Sequence, residues 1–157
     1  MLETECKILQ TVEYSIIEAS PYRFLERFGK IAKADAQVLS TAQCLLEMAL
    51  FDSKMNEYAP SMQASAALYM AMRITVKQDE SVSGQEPSNL SCWTKPLQAH
   101  TKYPSWMLKP CAQKMVQLAS AMRVSEFQMI KKKFGSSKHG EVIKTVYKVL
   151  RASLKAQ

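Results

Sequence analysis

Glycine and proline are scarce in this sequence of 157 residues, four and six respectively. A β-sandwich needs many tight turns and a phosphate-cradling loop needs clustered glycines, so both are disfavoured and helices are favoured. No apolar run approaches the roughly 18 residues of a membrane span. The opening MLETECKILQ carries acids where a signal peptide carries basic residues. The expectation is a soluble, intracellular chain. Cys6, Cys44, Cys92 and Cys111 form no Cys-x-x-Cys pair and no histidine cluster attends them. They read as buried, reduced thiols, which speaks against a disulfide framework and against a zinc site.

Catalytic groupings are equally thin. His100 and His139 lie in unrelated segments, and no Ser/His/Asp or Cys/His arrangement emerges. Both histidines read as surface or internally satisfied side chains. Glu47 and Asp52 stand five apart, which turns them to different faces of a helix. Glu47 is expected to be a structural hydrogen-bonding residue instead. No catalytic residue, metal ligand or cofactor is nominated, and an enzyme is not expected.

What is present is apolar material, 47 % of the chain, enough for one domain with a substantial core. Charge is unevenly placed. Residues 1–129 hold thirteen basic and thirteen acidic side chains, whereas residues 130–157 hold eight basic ones and Glu141. The whole net charge of +7 therefore sits in the last 28 residues. A neutral body carries a basic tail.

The segment YAPSMQASAALYMAMRI, residues 58–74, holds one charge, Arg73. Ala64, Ala67 and Ala71 fall on one side of a helix, Ala66 and Met70 on another, Leu68 and Met72 on a third. A helix apolar all round is enclosed by neighbours, and small residues let those neighbours come close. At well under the about 20 residues of a membrane span, the segment reads as a central helix instead.

Helical spacing recurs on both sides of it. Leu2, Cys6, Ile8, Leu9 and Val12 mark a helix over 2–14; Ser20 and Pro21 open a second, and Asp35 caps a third whose apolar band runs from Val38 to Leu50. Residues 77–92, KQDESVSGQEPSNLSC, read as a loop. A short helix around WTKPLQAHT, another over 104–122, one at SEFQMIKKKF stopped by Gly135, and a tail over 139–155 complete the chain. In that tail Lys144, Lys148, Arg151 and Lys155 form a basic stripe. No clean period-two alternation appears, so the fold class is all-α.

Several of these stretches carry a resemblance. FLERF, CLLEMALFD, YAPSMQASAALYMA, YPSWMLKPC and KKKFGSSKHGEV follow one another as in the second, C-terminal box of a mitotic A- or B-type cyclin. The matched positions include Glu47 to Asp52, Pro60-Ser61, Trp93, Leu108 to Cys111 and Lys133 to Lys138. The resemblance implies a five-helix box whose third helix is surrounded by the other four. It divides the chain into a linker helix over 1–16, the box over 17–138 and a basic helical tail over 139–157. Residues 2–14 resemble the helix that closes the first cyclin box, which lies outside this sequence. Their apolar side should then pack on the box or be shared between two copies of the chain, making a dimer.

Function is likewise read through the resemblance. It implies a regulatory subunit that activates a cyclin-dependent protein kinase, gripped mainly through the first box, in nucleus and cytoplasm. B-type members bind phosphorylated partners through basic side chains on the first two helices of this box. The corresponding positions here are Glu26, Leu39 and Gln43, which do not suit a phosphate. The alternative is a nucleic-acid-binding or transcription-factor module of the same fold, as in general transcription factor IIB, using the basic tail. Because only Phe134 and Tyr147 are interleaved with the lysines, nucleic acid is the less favoured partner, and no membrane partner is expected. Most of the ten methionines sit at core positions, with Met55 and Trp106 expected at the surface. The candidate partner-binding residues are Trp106, Lys131, Lys132, Lys133 and Lys138.

Overall fold

Ser20 ends the first connection and begins the folded body. Its hydroxyl accepts the Tyr22 amide at 3.3 Å, and Pro21 occupies the first helical position. The computed structural model describes residues 2–15, 19–83, 92–124 and 128–147, without the side chains of 77–83, 123, 124, 128 and 138. Its helices are α1 (Leu2–Thr11), α2 (Pro21–Ala32), α3 (Ala36–Ala49), α4 (Pro60–Ser83), α5 (Lys95–Thr101), α6 (Ser105–Val124) and α7 (Gln128–Phe134). Short 3-10 turns occupy Ser53–Glu57 and Ser137–His139, and residues 142–147 are helical. No strand occurs among the described residues, as the all-α reading requires.

Capping chemistry fixes the joints. Asp35 accepts the Val38 amide at 2.7 Å to open α3, and Asp52 accepts the Lys54 amide at 2.9 Å to open the first 3-10 turn. Lys33 closes α2 in a left-handed conformation, with φ of 50°. Within α2, Gly29 lets α3 approach, since a Cβ there would strike the end of the Leu39 side chain. The α7 helix stops at Phe134, where a Cβ on Gly135 would lie 2.6 Å from the Lys131 carbonyl oxygen.

The centre of the body is α4. Ala64, Ala66, Ala67, Leu68 and Ala71 expose no surface, and Ile74 is nearly as covered. Helices α2, α3 and α6 press along it and α5 adds a smaller contact. This is the enclosed helix that its lack of charge predicts. Polar atoms inside are matched: Ser65 donates to the Ser61 carbonyl at 2.8 Å, and Gln63 donates to the carbonyls of Met55 and Tyr58, each at 2.9 Å. Trp93 meets Tyr69 edge-on at 6.0 Å and donates its ring N–H to the Tyr103 carbonyl at 2.9 Å. The Tyr103 hydroxyl closes this network with Ser61 at 2.9 Å. Among the described residues no buried side-chain polar atom lacks a partner.

Five expectations need correction. First, α4 continues seven residues past Val76 to Ser83, so the loop expected over 77–92 is shorter. Lys77, Gln78 and Glu80 are good helix formers, and extending an established helix is far easier than starting one. Second, α1 ends at Thr11, because Glu13 and Tyr14 turn left-handed at φ of 51° and 55°. Third, α1 does not pack on the box: it buries no residue, and Leu2 is 79 % exposed. The box helices already spend their apolar stripes on α4. Fourth, Leu50 lies just beyond the end of α3, outside its apolar band, and faces solvent. Fifth, Met55 is 1 % exposed rather than a surface residue, drawn in by the turn that Asp52 caps.

The described start of the tail belongs to the core. Val142, Ile143 and Val146 are buried at helical spacing. Residues 148–157, including Lys148, Arg151 and Lys155 of the expected stripe, lie outside the described residues. Among those described, no helix is long and apolar enough to cross a membrane.

Candidate functional site

Seven residues, QMIKKKF, make α7, and helical periodicity sorts them onto two faces. Ile130 and Phe134, four apart, are buried. Met129, Lys132 and Lys133, at i, i+3 and i+4, face solvent, with Lys131 partly buried at the margin. Lys133 Nζ donates to Glu47 Oε1 at 2.5 Å and stands 5.3 Å from the Phe134 ring centre. The same carboxylate oxygen accepts from Gln43 Nε2, one turn earlier on α3, at 3.2 Å. Glu47 thus has the structural hydrogen-bonding role expected of it, and ties α7 to α3. Both partners are partly exposed, so the pair contributes at most about 1 kcal/mol.

Of the other basic residues, Lys144 donates to Glu141 at 2.6 Å, and the side chain of Lys138 lies outside the described residues. Lys114 on α6 approaches Asp52 at 3.9 Å. Trp106 stands apart from the lysines in sequence, on the first turn of α6, and is 65 % exposed. Pro110, Gln113 and Gln117 share its solvent-facing side. Pro110 has no N–H, so the Trp106 carbonyl has no backbone donor one turn ahead.

Thiols and imidazoles are separated by environment. Burial pushes the Cys44 thiol up to about 12; the nearby Glu47 carboxylate adds to this and the Lys133 ammonium opposes it. Burial alone raises Cys111 to about 12. Both are protonated and poor nucleophiles at neutral pH. Cys6 is exposed and Cys92 only partly covered, which corrects the expectation of four buried thiols. Cys6 rides on α1, which buries nothing. His139 lies 5.0 Å from the Phe134 ring and His100 is exposed on α5. Among the described residues no three His, Cys, Asp or Glu side chains are grouped to hold a metal ion.

The positions that would hold a phosphate on α2 and α3 are otherwise engaged. Glu26 pairs with Arg23 at 3.3 Å, Leu39 packs toward Gly29, and Gln43 is bound to Glu47. Periodicity in the basic run could have revealed one residue that the sequence analysis passed over. Met129 is 79 % exposed in the middle of the lysine face.

Comparison with known proteins agrees with this architecture. The family model described as "Cyclin, C-terminal domain" matches residues 19–147. The "G2/mitotic-specific cyclin-B" of Dictyostelium discoideum is 31 % identical over 142 residues, covering 90 % of this chain and 30 % of the relative. "Cyclin-B2-1" of Oryza sativa subsp. japonica is 28 % identical over 145 residues, 92 % of this chain and 32 % of that protein. "Cyclin-B2-2" of Arabidopsis thaliana is 30 % identical over 142 residues, with 90 % and 30 % coverage. The chain thus spans about a third of the length of these relatives. With the hub helix, its surrounding walls and the family match all falling on the same residues, this chain belongs to the cyclin family and folds as its C-terminal domain.

Proposed function

We propose that this domain is part of a mitotic-type regulatory subunit that binds and activates a cyclin-dependent protein kinase in cell-cycle control. The observation that carries the reading is the agreement between the family match over 19–147 and the burial of α4 from Gln63 to Tyr69 and at Ala71 and Ile74. Relatives named "G2/mitotic-specific cyclin-B" and "Cyclin-B2-1" favour the B-type over the A-type. The mechanism is positional. A rigid helical body holds the kinase's αC helix inward, so that the Lys–Glu ion pair needed for phosphoryl transfer can form. On this reading the domain braces the preceding box and contributes a secondary partner surface, without chemistry of its own.

The same proposal divides the chain at residues 1–16, 17–138 and 139–157 and places the protein in nucleus and cytoplasm. It also lets the uncovered side of α1 pack on the preceding box or on a second copy. The decisive experiment mixes the complete protein with candidate kinases and measures histone phosphorylation. Stimulation of at least one kinase is expected, and none with any of them would refute the reading. Light scattering over a dilution series tests the pairing of two copies, and a fluorescent fusion tests the localisation. The transcription-factor alternative is not favoured by relatives that are mitotic cyclins. It would demand tight, sequence-selective DNA binding that collapses with salt.

A further inference from the structure

We propose that the solvent face of α7 docks an acidic protein segment bearing an apolar side chain, with Met129 as the anchor and Lys132 and Lys133 as flanking cations. On a helical wheel Met129 lies between the two lysines, three and four residues before them. All three are exposed. The face is held rigidly from behind: Ile130 and Phe134 are buried, and Lys133 is tied to Glu47 on α3. An ammonium has three donors. The Glu47 oxygen takes one, leaving capacity for a partner carboxylate without breaking the tie to α3.

Charge complementarity selects the partner. Residues 130–157 contain one acid, Glu141, and Lys144 already occupies it at 2.6 Å. Within 130–147 five lysines face that single acid, so the stretch around α7 carries net positive charge and attracts anions. The methionine decides between anions. A phosphate backbone offers nothing to an apolar anchor, whereas an unbranched thioether fills irregular gaps against many kinds of apolar side chain. A nucleic acid would instead use stacking platforms. Phe134 is buried and Tyr147 is partly covered, so neither described aromatic of this stretch offers one. The surface needs no kinase for its recognition, so it stands or falls independently of the activation reading.

The test uses the full chain and two fluorescein-labelled peptides, Glu-Asp-Glu-Leu-Leu-Glu-Asp-Glu and its counterpart with Ser-Ser at the centre, followed by anisotropy. The leucine peptide should bind about tenfold more tightly than the serine one. Met129→Ser should remove most of that advantage and leave the serine peptide unaffected, while Lys132→Glu should weaken both. The two variants alter exposed side chains, so their thermal unfolding should match that of the parent protein. Non-additivity of Met129→Ser with the Leu-to-Ser peptide change isolates the contact. Equal binding of the two peptides, or a Met129→Ser variant that keeps the advantage, would overturn the anchor and leave bare charge attraction. Tighter binding of a DNA oligonucleotide in the same buffer would overturn the choice of partner, and no binding below about 1 mM would overturn the site itself.

Discussion

Helices α4 and α1 draw on similar apolar material and come to opposite ends. The stretch of α4 from Gln63 to Ile74 packs against α2, α3 and α6, and its alanines expose nothing. Leu2–Thr11 buries no residue at all, although Leu2, Cys6 and Leu9 line one side of it. The difference is one of neighbours rather than propensity. An apolar stripe contributes to stability only when something covers it, at about 25 cal/mol for each Å² removed from water. For α4 the cover is supplied within the chain; for α1, among the described residues, it is not.

The harshest way to break that contrast is Ala67→Asp. A carboxylate forced into the hub, where Ala67 exposes no surface, should cost upwards of about 4 kcal/mol. Circular dichroism should then show no cooperative unfolding transition. Gln63→Ala is milder. It strips the donors from the Met55 and Tyr58 carbonyls, and should lower stability by about 1–3 kcal/mol in urea titrations.

Thiol chemistry sharpens the comparison next. At pH 8, Cys6 on α1 should react with a disulfide reagent at once, and Cys44 and Cys111 only on unfolding. Their folded pKa values, near 12 against an ordinary 9.0, also predict a pH dependence. The unfolded chain ionises first, so this contribution to stability is intact below pH 9 and is lost as pH rises toward 12. Chemical unfolding at pH 8 and pH 10 measures it, with the lower midpoint expected at pH 10. Smallest of all is Ile8→Ser, which should move the stability of the isolated chain by less than about 0.5 kcal/mol. A large loss there would mean that α1 is covered after all.

How much of this was legible beforehand follows the same line. The enclosure of α4 was readable because absence of charge on every side is a property of the segment itself. The caps at Ser20 and Asp35 are local too and were read; the cap at Asp52, which draws Met55 inside, was not. The sequence could place Lys133 on a basic run and Glu47 on α3, and it identified the structural role of Glu47. It could not join residues 86 positions apart. The fate of α1 was illegible for the opposite reason, since a stripe in the sequence does not reveal whether a partner exists for it. Met129 was readable by counting threes and fours within α7, and was masked by the lysines around it.

The enclosure of α4 also constrains the order of events at the ribosome. By the time Ser83 has emerged from the ribosome, α2 and α3 can already shield two of its flanks, but the third wall, α6, is complete only once Val124 has emerged. At about 5–20 residues per second that interval lasts roughly 2–8 s. Throughout it the nascent domain has one apolar flank of its central helix uncovered, a natural target for a chaperone.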